Sequence, residues 1–229
     1  TMNVENHQYD GSQKVHYTNN SPDTLQKAYF HLYFNAFQPG SMMDVRSRTI
    51  KDPDRRVTDR IYGLGPDEIG FQEVLELTQN GMPLGWEVNG TVLKCALAEP
   101  LLPCESTTFE MRWNAQVPKQ IRRSGWNNKE GVEFTMTQWY PKLAEYDKDG
   151  WHPDQYVGRE FYGVWGTFDV TVHIDKNYVL GGTGYLQNPE DVGFDYGGVK
   201  KVRLGRNELR TWHFKADSVH DFAFAADPD

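Results

Sequence analysis

Alternation with a period of two dominates this chain and narrows its fold more than any other feature. Phe109, Met111, Trp113 and Ala115 alternate with Glu110, Arg112, Asn114 and Gln116, and Phe168, Val170, Val172 and Ile174 alternate with Asp169, Thr171, His173 and Asp175. Successive side chains of a strand point to opposite faces, so each segment reads as a half-buried strand with one apolar and one wet face. Residues 12–19 and 91–97 read as shorter strands. Residues 25–37 read as another, with Ala28, Phe30, Leu32, Phe34 and Ala36 on one face and Lys27, Tyr29, His31 and Tyr33 on the other. Residues 200–204, 209–216 and 219–225 add three candidates near the end. Turn signals separate these runs: Asn19-Asn20-Ser21-Pro22-Asp23, Gln79-Asn80-Gly81, Val88-Asn89-Gly90, Asp149-Gly150 and Gly181-Gly182-Thr183-Gly184, the last read as a hairpin or bulge turn. Short strands spaced by such turns predict an all-β sandwich.

Two stretches escape the alternation. Residues 38–66 are rich in Arg, Asp and Pro, and residues 140–163 in charge and aromatics. Both read as long ordered loops, the first with a helical turn around 54–61, and loops of that length are usually functional or pack on something. Repeats, low-complexity tracts and linker-like stretches are absent, so residues 1–229 read as one β domain. Composition removes several classes of function. The net charge of −8 offers no general attraction for nucleic acid or anionic lipid. Aromatics at 14% exclude intrinsic disorder. No apolar run approaches the roughly 18–20 residues that span a bilayer. The opening TMNVENHQYDGS lacks the basic-then-apolar pattern of a signal peptide. The compartment therefore stays open: periplasm or exterior for a trimmed chain, cytoplasm otherwise.

No catalytic or metal-ligating residue emerges from spacing. The histidines at 7, 16, 31, 152, 173, 213 and 220 have no helical metal spacing, and H-E-x-x-H is missing. His16, His173 and His213 read as solvent-face strand residues and His152 as part of a turn. Asp147-Lys148-Asp149-Gly150 opens like a calcium loop, but the twelfth position is Gly158 rather than glutamate. No G-x-S-x-G nucleophile elbow occurs. Cys95 and Cys104 read as free thiols in preference to a disulfide across the turn between them. The aromatics are harder to set aside. Trp126, Trp139, Tyr140, Tyr146, Trp151, Tyr156, Phe161, Tyr162 and Trp165 crowd one segment, interleaved with charge. Such a mixture suits a ligand platform or an interface buried by another domain.

Residues 137–144, Thr-Gln-Trp-Tyr-Pro-Lys-Leu-Ala, resemble the T-Q-[aromatic]-E-P-x-x-A stretch in the N-terminal domain of M1-family zinc aminopeptidases. Residues 29–48 (YFHLYFNAFQPGSMMDVRSR), residues 120–123 followed by Gly125, and residues 163–176 (GVWGTFDVTVHIDK) followed by Gly181-Gly182-Thr183-Gly184 are similar to bacterial M1-like, gluzincin-type peptidases. The resemblance extends over nearly the whole chain, from about Val4 to Asp229.

It implies a saddle-shaped β-sandwich that packs against a thermolysin-like catalytic domain of the same polypeptide, acting on peptide substrates. The resemblance implies that this domain carries G-x-M-E-N, which helps anchor the peptide's free amine, and H-E-x-x-H with a later glutamate, which hold the zinc. None of these motifs is in this sequence, so zinc is expected in the catalytic domain and no cofactor in this chain. One substrate-binding position carries over. The family's glutamine, which reaches the substrate's amino-terminal residue, is Gln138 here, and an amide carbonyl suits an ammonium. Tyr140 stands where the family has an acidic or amide residue, so one ligand of that amine is either lost or replaced by a phenol. Glu145 replaces the usual arginine, and the F-P-C-x-D-E-P segment that commonly follows is absent. The expectation is a non-catalytic N-terminal domain that walls the active-site cleft. The alternatives are a carbohydrate-binding sandwich using Trp139 and Trp151, or the scaffold of a catalytically dead relative.

Overall fold

The computed structural model describes residues 1–50, 57–158, 161–206 and 208–228. The longest pairing is between β1 (Gln8–Thr18) and β6 (Ser106–Gln116), antiparallel and unbroken from Gln8 opposite Gln116 to Thr18 opposite Ser106. Strand β3 (Phe71–Gln79) pairs with the other edge of β6, and Met2–Asn3 and Met82–Pro83 complete this sheet. A second antiparallel sheet holds β2 (Leu25–His31), β4 (Trp86–Asn89) and β5 (Val92–Leu101), edged by Lys142–Leu143. The two sheets meet where Phe30 stands edge-on to Phe109, their ring centres 5.6 Å apart. The alternation of β6 delivers Phe109, Met111, Trp113 and Ala115 to that core, all buried.

The C-terminal part repeats the design. Strand β7 (Phe134–Met136) and β9 (Tyr178–Gly182) flank β11 (Phe224–Pro228), with Gly125–Trp126 outermost. Facing them, β8 (Gly166–Asp175) pairs with β10 (Leu209–Val219), and β10 with Tyr185–Leu186. Trp212 and Phe214 of β10 and Phe222 fill the interior, while His173 and His213 lie on the outer face, as their spacing predicts. This is an all-β architecture of packed antiparallel sheets, and every apolar layer joins one core cluster.

Several expectations change. The strand over 25–37 stops at His31, and Tyr33–Ala36 forms a 3-10 turn. Two exchanged contacts hold that turn: the Phe34 backbone N–H donates to Gln72 Oε1 (3.3 Å), and the Gln72 N–H donates to Asn35 Oδ1 (2.8 Å). The loop over 38–66 contains a helix, α1 (Met42–Thr49), capped by Ser41, whose Oγ accepts from the Asp44 N–H at 3.1 Å. Of the helical turn expected around 54–61, residues 54–56 lie outside the described residues and 57–61 are turn. Residues 200–204 are not a strand, and within the run over 219–225 residues 220–223 form a loop between β10 and β11. Gly181-Gly182-Thr183-Gly184 is no hairpin. Strand β9 pairs with β11 and the following Tyr185–Leu186 with β10, so the turn carries the chain from one sheet to the other. Gly184 lies at φ +86°, where a Cβ would come 2.2 Å from the Lys215 carbonyl oxygen.

Candidate functional site

Residues 137–141 leave β7 just as residues 220–223 enter β11, and the pairing of Met136 with Phe224 places these two loops side by side. The site is built from that juxtaposition. Gln138 sits at φ +53°, a left-handed conformation unusual for a residue with a side chain. Its Nε2 donates to Asp221 Oδ2 at 3.0 Å, across 83 residues of sequence. Tyr140 O–H donates to the other oxygen, Oδ1, at 2.8 Å, and the Phe222 backbone N–H donates to the same oxygen at 2.9 Å. Trp139 is tied to the same loop, its Nε1 donating to the Phe222 carbonyl at 3.1 Å. The Tyr9 hydroxyl donates in turn to the Trp139 carbonyl.

Lys142 closes the cluster from below. Gly163 gives it room, since a Cβ there would come 2.7 Å from Cε and 2.8 Å from Nζ. The ammonium donates to the His220 carbonyl and stands 3.9 Å from Asp221 Oδ2. Lys142 lies opposite His31 in the sheet ladder. His31 is 2% exposed and stacks on Tyr33 at 5.0 Å.

Burial decides the charges of these groups. It lowers the pKa of Lys142, and the attraction of Asp221 only partly offsets the loss of water. It raises the Tyr140 phenol well above its ordinary range, reinforced by the Asp221 carboxylate, so the hydroxyl stays a neutral donor. It drives the His31 ring down to about 4, with Lys142 adding to the shift and Asp154 and the His152 carbonyl opposing it.

Gln138 and Tyr140 are thus brought together, both nearly buried, and joined through an acid that sequence spacing does not reveal. With Nε2 engaged, Oε1 of Gln138 is left as an acceptor, and none of the described residues donates to it. Buried neighbours do not enclose it.

The aromatic crowd is largely a packing device. Trp139 contacts Tyr140 and Phe224 edge-on, at 5.4 and 5.5 Å. Trp151 packs among Tyr17, Tyr29 and Tyr146. Neither Trp139 nor Trp151 is a flat exposed platform; within the crowd only Tyr162 (54%) and Trp165 (67%) are largely exposed. The Trp165 ring lies 5.3 Å from that of His220, next in sequence to Asp221. Cys95 is buried and Cys104 exposed, and both are free. Among the described residues no three His, Cys, Asp or Glu side chains are grouped to hold a metal ion, so no step through zinc is derived for this chain.

No protein-family model and no curated protein matches the sequence. Solved structures do match. An M1 zinc metallopeptidase from Deinococcus radiodurans aligns at a TM-score of 0.50 and 15% identity, over 95% of this chain and 38% of that one. The fold fits an M1 peptidase domain. An M1 zinc metallopeptidase mutant from the same organism, bound to a Tyr-Ser-Ala substrate, aligns at 0.48 and 14% identity, too low to add to the comparison. The chain spans less than two fifths of the length of these relatives.

Proposed function

We propose that residues 1–229 form one domain, the non-catalytic N-terminal domain of an M1-like zinc metallopeptidase. It walls one side of the active-site cleft and presents Gln138 and Tyr140 to the amino-terminal residue of a peptide. The observation that carries this reading is the fold match over 95% of the chain to 38% of an M1 zinc metallopeptidase. The Oε1 of Gln138, to which none of the described residues donates, supports the site, because an amide carbonyl accepts from an ammonium without adding a full charge of its own. In this reading the partner is a thermolysin-like catalytic domain of the same polypeptide, which holds the zinc. Zinc held in that domain would supply Lewis-acid chemistry for peptide hydrolysis.

The test is the native gene product. It is expected to be longer than this chain, to carry one zinc per molecule and to cleave an aminoacyl reporter. Gln138→Ala is expected to raise its KM about tenfold, the scale of one lost hydrogen bond to a charged group. A native product no longer than this chain and free of zinc, or hydrolysis by the metal-free isolated chain, would sink the reading.

A further inference from the structure

We propose that Asp221 is the positioning residue of the Gln138 site, fixing which end of the Gln138 amide faces outward and so making the site one for a primary ammonium group. This rests on the reading of Gln138 as a substrate-facing residue. A glutamine amide has a donor end and an acceptor end of nearly equal size, and its neighbours choose between them. Here the choice is forced. A carboxylate oxygen lies 3.0 Å from Nε2, and an ionised carboxylate only accepts, so the NH2 must face it and the carbonyl must turn away. The carboxylate is itself held still: Tyr140 O–H and the Phe222 N–H converge on Oδ1 at 2.8 and 2.9 Å, leaving Oδ2 to Gln138.

The acid also sets the sign of the site. Asp221 keeps 17% of its side chain in contact with solvent, whereas Lys142 keeps 7%. At 3.9 Å, Lys142 is beyond hydrogen-bond reach of Oδ2, and its proton goes instead to the His220 carbonyl. The acceptors the cluster offers are therefore the Gln138 carbonyl and a carboxylate, with the neutral Tyr140 phenol beside them. Acceptors with a negative neighbour suit an ammonium and reject a carboxylate. The acid arrives from the β10–β11 loop, 81 residues beyond Tyr140, and not from the segment that contains Gln138.

Gln138 can be followed in the isolated chain by NMR. Its side-chain NH2 signals are assigned by their disappearance in Gln138→Leu. Asp221→Asn is expected to move both signals and collapse their separation. L-Alaninamide, a primary ammonium probe, should shift the wild-type signals at millimolar concentration and N-acetyl-alaninamide should not. Asp221→Asn should weaken the alaninamide response at least tenfold. Should Asp221→Asn fail to fold, the Asp221 carboxyl carbon is read in wild type and Gln138→Leu, and its shift must differ between them.

Unchanged Gln138 signals in Asp221→Asn, or an unchanged Asp221 carboxyl in Gln138→Leu, would overturn the proposal and leave the Gln138 reading standing. An alaninamide response that survives in Gln138→Leu would overturn the Gln138 reading instead, whatever Asp221 does to the amide. If alaninamide shifts nothing, the ammonium assignment fails, and the orientation result still decides the positioning role.

Discussion

His31 offers the sharpest test of how burial sets charge beneath the site. Its ring is 2% exposed, stacked on Tyr33 and opposite Lys142 in the sheet ladder, and Nδ1 is enclosed without a hydrogen-bond partner. Removal from water, and then the positive Lys142, bring its pKa from 6.5 to about 4, against the pull of Asp154 and the His152 carbonyl. In the unfolded chain the ring takes up its proton near 6.5. Between pH 6.5 and 4 the unfolded state therefore binds the extra proton, and stability falls as pH falls through that window. At about 1.4 kcal/mol for each pH unit between the two values, the loss is about 3 kcal/mol by pH 4. The assay is urea denaturation from pH 7.5 to 4, comparing wild type with His31→Phe, which keeps a flat ring against Tyr33 and cannot titrate. The wild type should lose about 3 kcal/mol more than the variant over this window, with equal urea slopes. Parallel curves for the two proteins would refute the argument, because titration of carboxylates elsewhere is common to both.

Two further outcomes follow from the packing. Gly11 lies opposite Trp113 in the β1–β6 ladder, and a Cβ there would come 2.2 Å from the indole, so Gly11→Ala should cost about 2 kcal/mol by overpacking a buried ring. In Trp113→Leu the same Gly11→Ala change should cost at least 1 kcal/mol less, as a double-mutant cycle by urea denaturation would read; additive costs would remove the indole as the cause. Cys104 should react with a thiol reagent in the native protein, whereas Cys95, buried and with its thiol pushed up to about 11, should react only after unfolding. If neither reacts in the unfolded, unreduced chain, the two are bridged.

How far the sequence discloses such features depends on whether the physics is local. Strand β6 is legible because Phe109, Met111, Trp113 and Ala115 meet one core on one face along a ladder without interruption. Strand β3 is not, because its register shifts between Val74 and Glu76, and the bulge moves the buried set from Gln72 and Val74 to Leu77 and Gln79. Helix α1 carries a local signal in Ser41 and Asp44, with Arg48 reaching back to Asp44 at 2.8 Å, but its eight residues are hidden in a charged stretch that reads as loop. The aromatics from Trp126 to Trp165 suggest a ligand platform or an interface buried by another domain, yet the chain itself covers most of them, as where the hairpin of Tyr146–Asp147 and Gly150–Trp151 folds onto Tyr17 and Tyr29.

The site divides along the same line. Gln138 and Tyr140 can be proposed from the sequence because they sit two residues apart in one motif-like stretch. Asp221 cannot, because nothing in its neighbourhood marks it; it reaches Gln138 only through the pairing of β7 with β11, a register fixed by the whole core. The departure at Tyr140 reads as a lost acid when the motif is taken alone. In three dimensions the phenol keeps its hydrogen bond and a carboxylate from another loop receives it. A substitution inside a short motif is therefore best judged by what the fold places against it, and here that is an acid within 3.0 Å of both motif side chains.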